Sequence, residues 1–90
     1  MPYITPASRE KLAPAVLELA QVIKNQGVTK RPGNLNYAIS TLIIELFPAP
    51  SYNSFNEMMG VLSCVQQEVY RRWATPYEND KSLENGDIFP

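Results

Sequence analysis

The sequence predicts an all-α chain, and three observations carry that prediction. Apolar residues recur every three to four positions over three separate stretches. Proline and glycine punctuate the intervals between them, at Pro6, Gly27, Pro48, Pro50 and Pro76. No stretch alternates apolar and polar residues as a half-buried strand would. Ninety residues suffice for one domain. The expected architecture is a three-helix domain over residues 1–76, followed by an acidic, irregular tail over residues 77–90. Short connections favour antiparallel neighbours, so the second and third helices should form a hairpin with the first packed across it.

Residues 1–5 read as extended, and Thr5-Pro6 as an N-cap followed by proline at the first helical position. Pro14 then falls where a continuous helix needs its N–H. The prediction is a short helical turn over 6–12, a break or kink, and a main helix over 14–26. Leu12, Val16, Leu19, Ala20 and Ile23 share one face, with Glu18, Gln21, Lys24 and Asn25 mostly on the other. Gly27 is a natural left-handed stop.

Residues 28–33 read as a basic loop, and Asn34 as the N-cap of the second helix. Leu35, Ile39, Leu42 and Leu46 form its stripe, widened by Ile43, and Pro48 and Pro50 stop it at Phe47. The third helix opens near Ser51 or Ser54, where Ser54-Phe55-Asn56-Glu57 matches a capping box. Phe55, Met58, Met59, Leu62, Val65, Val69 and Trp73 continue at helical spacing until Pro76, which should end the helix. Gly60 inside it costs about 1 kcal/mol against alanine, and glycine there suits close approach of another backbone. Beyond Pro76 periodicity fades. Asn85-Gly86 marks a turn, and Leu83, Ile88 and Phe89 could anchor the tail on the body or on a neighbouring chain.

A chain of this length buries only roughly 60–65% of the surface it exposes when unfolded. Leu17, Ile44, Phe47, Val61 and Tyr70 lie off the main stripes, so a homo-oligomer is expected to cover them. Apolar runs such as Leu42-Ile43-Ile44 fall far short of the roughly 20 residues of a membrane span, and the N-terminal residues lack the pattern of a secretory signal. Cys64, the only cysteine, excludes an internal disulfide and suits a reducing cytoplasm. Beside the third stripe it is expected to be a buried small hydrophobe. The chain has no histidine, which removes Ser-His-Asp and Cys-His catalysis and His-ligated zinc. Asp80, Glu84 and Asp87 do not have EF-hand spacing, so no metal or cofactor is expected and no enzymatic role. Residues 1–75 carry a net charge of +2 and residues 76–90 a net charge of −3. A body so weakly basic does not support extensive contact with a nucleic-acid backbone.

Several segments together carry a resemblance. They are Met1-Pro2-Tyr3-Ile4, Gly33 to Ile39, Asn56 to Val65, Glu68-Val69-Tyr70-Arg71-Arg72, Pro76-Tyr77-Glu78 and Glu84-Asn85-Gly86-Asp87. In this order they resemble a family of small uncharacterised proteins of similar length found in tailed-phage and bacterial genomes. Its members usually have an acidic residue where this chain has Ala13. The resemblance covers nearly the whole chain and implies a phage or prophage gene acting in a bacterial cytoplasm. In size and predicted architecture the chain is also similar to phage anti-defence sponges that sequester cyclic nucleotide signals between subunits, an analogy of fold and not of motif.

Two clusters suit an anionic ligand. Lys30 and Arg31, with Lys24 near the end of the first helix, can neutralise phosphate, and Asn34 with the free N–H groups of a helix start adds donors. Asn36 and Tyr37, one turn on, suit a base edge or a stacked ring. A solvated loop and an N-cap account for the same residues. Tyr70, Arg71 and Arg72, followed by Trp73, form the second cluster, a phosphate or base clamp at a subunit interface. Arginines about 100° apart on a helix rarely face one ligand, and a glutamate-paired arginine couple flanking a core tryptophan accounts for them equally. Asn56-Glu57 fits helix-start chemistry as well as a pocket lining. The expected function is a non-enzymatic binder of phage type. Its homo-oligomer would sequester a small anion, such as a cyclic nucleotide immune signal, at subunit interfaces. The alternative is a protein–protein interaction module that inhibits or adapts a host or phage protein.

Overall fold

The computed structural model describes residues 4–90, and every regular element among them is helical. The described chain forms two compact units, residues 4–55 and residues 56–90. The expected extended segment over residues 1–5 lies largely outside the described residues.

In the first unit, α1 spans Pro6–Asn25. Thr5 caps it as predicted: its Oγ1 accepts the Ser8 N–H at 3.2 Å, and Pro6 stands in the first turn where no N–H is required. The predicted break at Pro14 does not occur, because α1 runs through it without interruption. Proline removes one ladder bond and crowds the carbonyl four residues back, a cost of about 3 kcal/mol. Leu12, Ala13, Ala15 and Leu17 are strong helix formers on both sides of it and hold the register. Gly27 follows the helix at φ 98 and ψ 157, a conformation closed to residues with a Cβ.

The expected basic loop is also helical. Val28–Lys30 is a turn of 3₁₀ helix leading straight into α2, Arg31–Leu46. Pro32 lies in the first turn of α2, where its missing N–H costs nothing. Asn34 is therefore inside the helix and not its cap; Lys30 occupies the cap position and supplies no side-chain hydrogen bond. The helix ends as predicted at Phe47, whose N–H reaches the Ile43 carbonyl at 2.9 Å just ahead of Pro48.

Next comes α3, Tyr52–Val69. Of the two candidate caps it uses Ser51, whose Oγ accepts the Ser54 N–H at 3.1 Å. The box over Ser54 to Glu57 does not form, since Ser54 is already helical. Pro76 does not end the helix either. A π-helical turn, Tyr70–Ala74, intervenes, with the Thr75 N–H donating to the Tyr70 carbonyl five residues back, and α4 continues over Thr75–Asn85. The wider turn shifts the register just before the proline, so Pro76 falls at the start of a new helical segment, where it is tolerated. The predicted irregular tail is thus helical as far as Asn85. Gly86, at φ 87, closes α4 at the predicted turn.

Packing departs furthest from expectation. Met58, at 8% exposure, is the one buried side chain among the described residues. Leu62 is half-buried, but Phe55 is 50% and Trp73 78% exposed, so the third stripe does not form a core within the single chain. Cys64, expected inside, is exposed. Leu17, Ile44, Val61 and Tyr70 are exposed and Phe47 half-buried. Leu83, Ile88 and Phe89 are exposed, so none of them anchors the tail on the chain itself. On α1 and α2 the half-buried residues include Ala20, Ile23, Asn34, Ala38 and Thr41, while Leu35, Leu42 and Leu46 remain open. Small side chains at 34, 38 and 41 share one side of α2, offset from the large aliphatic stripe. Gly60 is open too: a Cβ there would meet nothing within 4 Å among the described residues.

Candidate ligand-binding site

The turn between α1 and α2 gathers five of the nine residues singled out from sequence. Lys24 lies in the last turn of α1, Lys30 at the cap of α2, Arg31 at its first residue, and Asn34 and Tyr37 within its first two turns. Gly27 and the 3₁₀ turn reverse the chain so tightly that the Asn34 Nδ2 donates to the Gln26 Oε1 at 3.1 Å. Lys24, Lys30 and Arg31 have no hydrogen-bonding or ionic side-chain partner among the described residues. The backbone at the helix start is less available than expected. The Arg31 N–H already donates to the Val28 carbonyl, and Pro32 has none.

Beside this corner, α1 and α2 enclose an open cleft of about 300 Å³. Leu19, Val22, Ile23, Ala38, Thr41 and Leu42 form its apolar walls, and Gln26, Asn34 and Tyr37 its polar end. Tyr37 is 72% exposed, so most of its ring is free. Asn36 does not line the cleft; its Oδ1 accepts the Ser40 hydroxyl at 3.4 Å. Gln26 was not anticipated. Its role depends on a contact eight residues along the chain across a turn, which leaves no mark in a periodicity pattern.

The second cluster lies in the other unit. Arg71 and Arg72 converge after all, on a protein carboxylate: Arg71 Nη2 lies 2.6 Å from Glu68 Oε1, and Arg72 Nε 2.7 Å from Glu68 Oε2. Glu68 sits three and four residues before them, so two long side chains leaving the helix at different angles reach the same group. The hydrogen bonds from Arg71 and then Arg72 hold the Glu68 carboxyl below its ordinary pKa. The Tyr70 hydroxyl donates to both oxygens of Glu78, at 3.2 and 3.1 Å, across the π-turn. That hydrogen bond and the carboxylate charge raise the Tyr70 pKa. Trp73 is no core residue, being largely exposed. An open cavity of about 710 Å³ is lined here by Cys64, Gln66, Gln67, Glu68, Tyr70 and Arg71. Among the described residues no three His, Cys, Asp or Glu gather as a metal site, and no helix is long and apolar enough to cross a membrane.

This geometry defines a small all-helical chain with open apolar faces and one basic corner. It belongs to the family described as Domain of unknown function (DUF6899), whose model matches residues 1–88. No curated protein and no solved structure matches the chain.

Proposed function

We propose that this chain is a non-enzymatic binding protein that sequesters a small phosphate-bearing ligand of the cyclic-nucleotide class at interfaces between its own copies. One observation carries the reading: Lys30 and Arg31 open α2 although that helix has no acidic residue in its first turn and no side-chain cap. The N-terminus of a helix favours negative charge, so two cations there have neither a dipole nor, among the described residues, a side-chain counterpart; Lys24, in the last turn of α1, adds positive charge to the same turn although the dipole of α1 favours it there. Elsewhere Arg71 and Arg72 share the single carboxylate of Glu68 and Lys81 lies 3.3 Å from Glu84, so these cations have an acidic partner that Lys30 and Arg31 lack among the described residues. An anion supplies what the corner lacks.

Self-association is the second part of the proposal, and the exposed stripes of α1, α2 and α3 support it. Fixing a backbone costs about 1–2 kcal/mol per residue, which a chain with one buried side chain among its described residues does not recover alone. The setting is a bacterial cytoplasm, and the role is that of a phage-encoded sponge for an immune signal. Titration calorimetry of the full chain against a panel of cyclic di- and trinucleotides tests the reading. Binding is expected with at least one and is lost in the Lys30→Glu/Arg31→Glu double variant; absence of heat with every member overturns it.

A second reading, a module that inhibits or adapts a host or phage protein, draws on Leu83, Ile88 and Phe89, which stand exposed in an acidic segment. Recovery of one stoichiometric protein partner that is lost when these three residues become serine favours it.

A further inference from the structure

We infer that the α1–α2 cleft is a nucleobase subsite, in which Tyr37 stacks on the ring and the joined amides of Gln26 and Asn34 read its edge. The inference deepens the anionic-ligand reading and rests on it only for the phosphate.

Three features of the cleft point to a base. Its volume, about 300 Å³, lies at the low end for small-molecule sites, which suits one ring system and not a whole dinucleotide. Its walls at Leu19, Ile23, Ala38 and Leu42 are apolar, and the exposed Tyr37 ring adds a flat aromatic surface. Bases stack on such rings whatever their sequence identity. The third feature is the amide pair. Asn34 uses Nδ2 to reach Gln26 Oε1, which leaves the Asn34 Oδ1 as an acceptor and the Gln26 Nε2 as a donor with no partner among the described residues. Adjacent donor and acceptor are what the edge of a base such as adenine presents in return.

Charge complementarity selects the occupant. A purely apolar partner segment would leave the amide pair and the neighbouring cations Lys24, Lys30 and Arg31 unmatched. A nucleotide places its base in the cleft and its phosphate toward that corner. The missing element in the sequence was Gln26; Asn36, which sequence reasoning offered for the base edge, faces Ser40 instead.

Methyl and amide NMR of the full chain tests this with two separate probes, a neutral nucleoside (adenosine, then guanosine) and inorganic pyrophosphate. A nucleoside at millimolar concentration should shift the Ala38, Ile23 and Leu42 methyls. Pyrophosphate should shift the Lys30 and Arg31 amides and leave those methyls in place. Tyr37→Ala, with its circular dichroism spectrum and melting temperature unchanged, should weaken the nucleoside by at least about fivefold, the low end of what one stacked base contributes. It should leave pyrophosphate unaffected. Nucleosides that move none of the cleft methyls overturn the inference even where pyrophosphate binds. Shifts that survive Tyr37→Ala unchanged overturn the stacking role. Nucleosides that bind while pyrophosphate does not leave the subsite standing and remove the anionic reading. Silence from both removes both.

Discussion

Gly60→Ala should stabilise the chain. Gly60 lies inside α3, and among ordinary helix interiors glycine is about 0.8–1.0 kcal/mol less favourable than alanine. Nothing among the described residues offsets that gain, because a Cβ on Gly60 meets none of their atoms within 4 Å and its φ is not positive. The residues one and two turns away on the same side, Asn56, Ser63, Cys64 and Gln67, are all exposed. This side of α3 is therefore read as solvent, opposite Met58. For a domain of this size a gain of about 1 kcal/mol raises Tm by roughly 4–8 °C. Thermal melts by circular dichroism at 222 nm, at one fixed protein concentration, measure it. Gly27→Ala is the internal control with opposite sign: at φ 98 the new side chain is strained, so Tm should fall although the space around it is equally open. A fall in Tm for Gly60→Ala would refute the reasoning. The added methyl would then be meeting atoms that the single chain does not supply, and this side of α3 would be a contact face.

Three further outcomes follow from the geometry. Tm should fall by a few degrees for each tenfold dilution, since a tenfold change of concentration is worth about 1.4 kcal/mol to a dimer; a Tm constant over a hundredfold range would exclude coupled folding and assembly. Ser51→Ala should cost about 1 kcal/mol as a lost N-cap while Ser54→Ala costs little, which chemical denaturation of the two variants distinguishes. Tyr70 should ionise later than an ordinary tyrosine in an ultraviolet titration, and Glu78→Ala should remove the delay. The sign for stability follows: the Tyr70–Glu78 contribution is present below pH 10 and is lost as pH rises through the raised value, whereas that of Glu68 is present above its ordinary value and is lost as pH falls through the lowered one. Both groups are at the surface, so both contributions are small.

Helix content was legible in the sequence because periodicity and caps are local. Thr5, Phe47 and Gly86 end or begin helices as their types require. The errors came from proline. Pro14 reads as a break or kink and Pro76 as a helix end, yet Pro76 lies in the first turn of α4 and the strong formers around Pro14 carry α1 through it; Pro32, inside the segment expected to be a loop, lies in the first turn of α2. A missing N–H says where one ladder bond is absent, not whether the helix resumes. Burial was less legible. The stripes are real, but a stripe states only that a face wants covering and not by which chain. The site was half legible: charge and residue type singled out the corner at Lys24, Lys30 and Arg31, while the Gln26–Asn34 bond needed the turn to be built first.

Lys30→Asp brings the local and functional arguments into direct opposition. Position 30 caps α2 without a side-chain hydrogen bond, and a lysine there opposes the helix dipole. Position 30 is itself helical, at φ −90 and ψ −8, so aspartate there supplies the favoured sign and no capping geometry, and on local physics alone the variant should gain about 0.3–1 kcal/mol, seen as a higher denaturation midpoint. It also replaces a positive charge by a negative one at the corner assigned to phosphate, so pyrophosphate binding should disappear. A residue that lowers stability where a better one is one substitution away is what a binding site leaves behind, since function is the usual reason local rules are broken. Lower stability in Lys30→Asp would mean that the cation holds the turn together. Higher stability with binding intact would place the anion elsewhere. Only the pair of results, tighter folding and lost binding, fits cations kept at this helix start for a ligand.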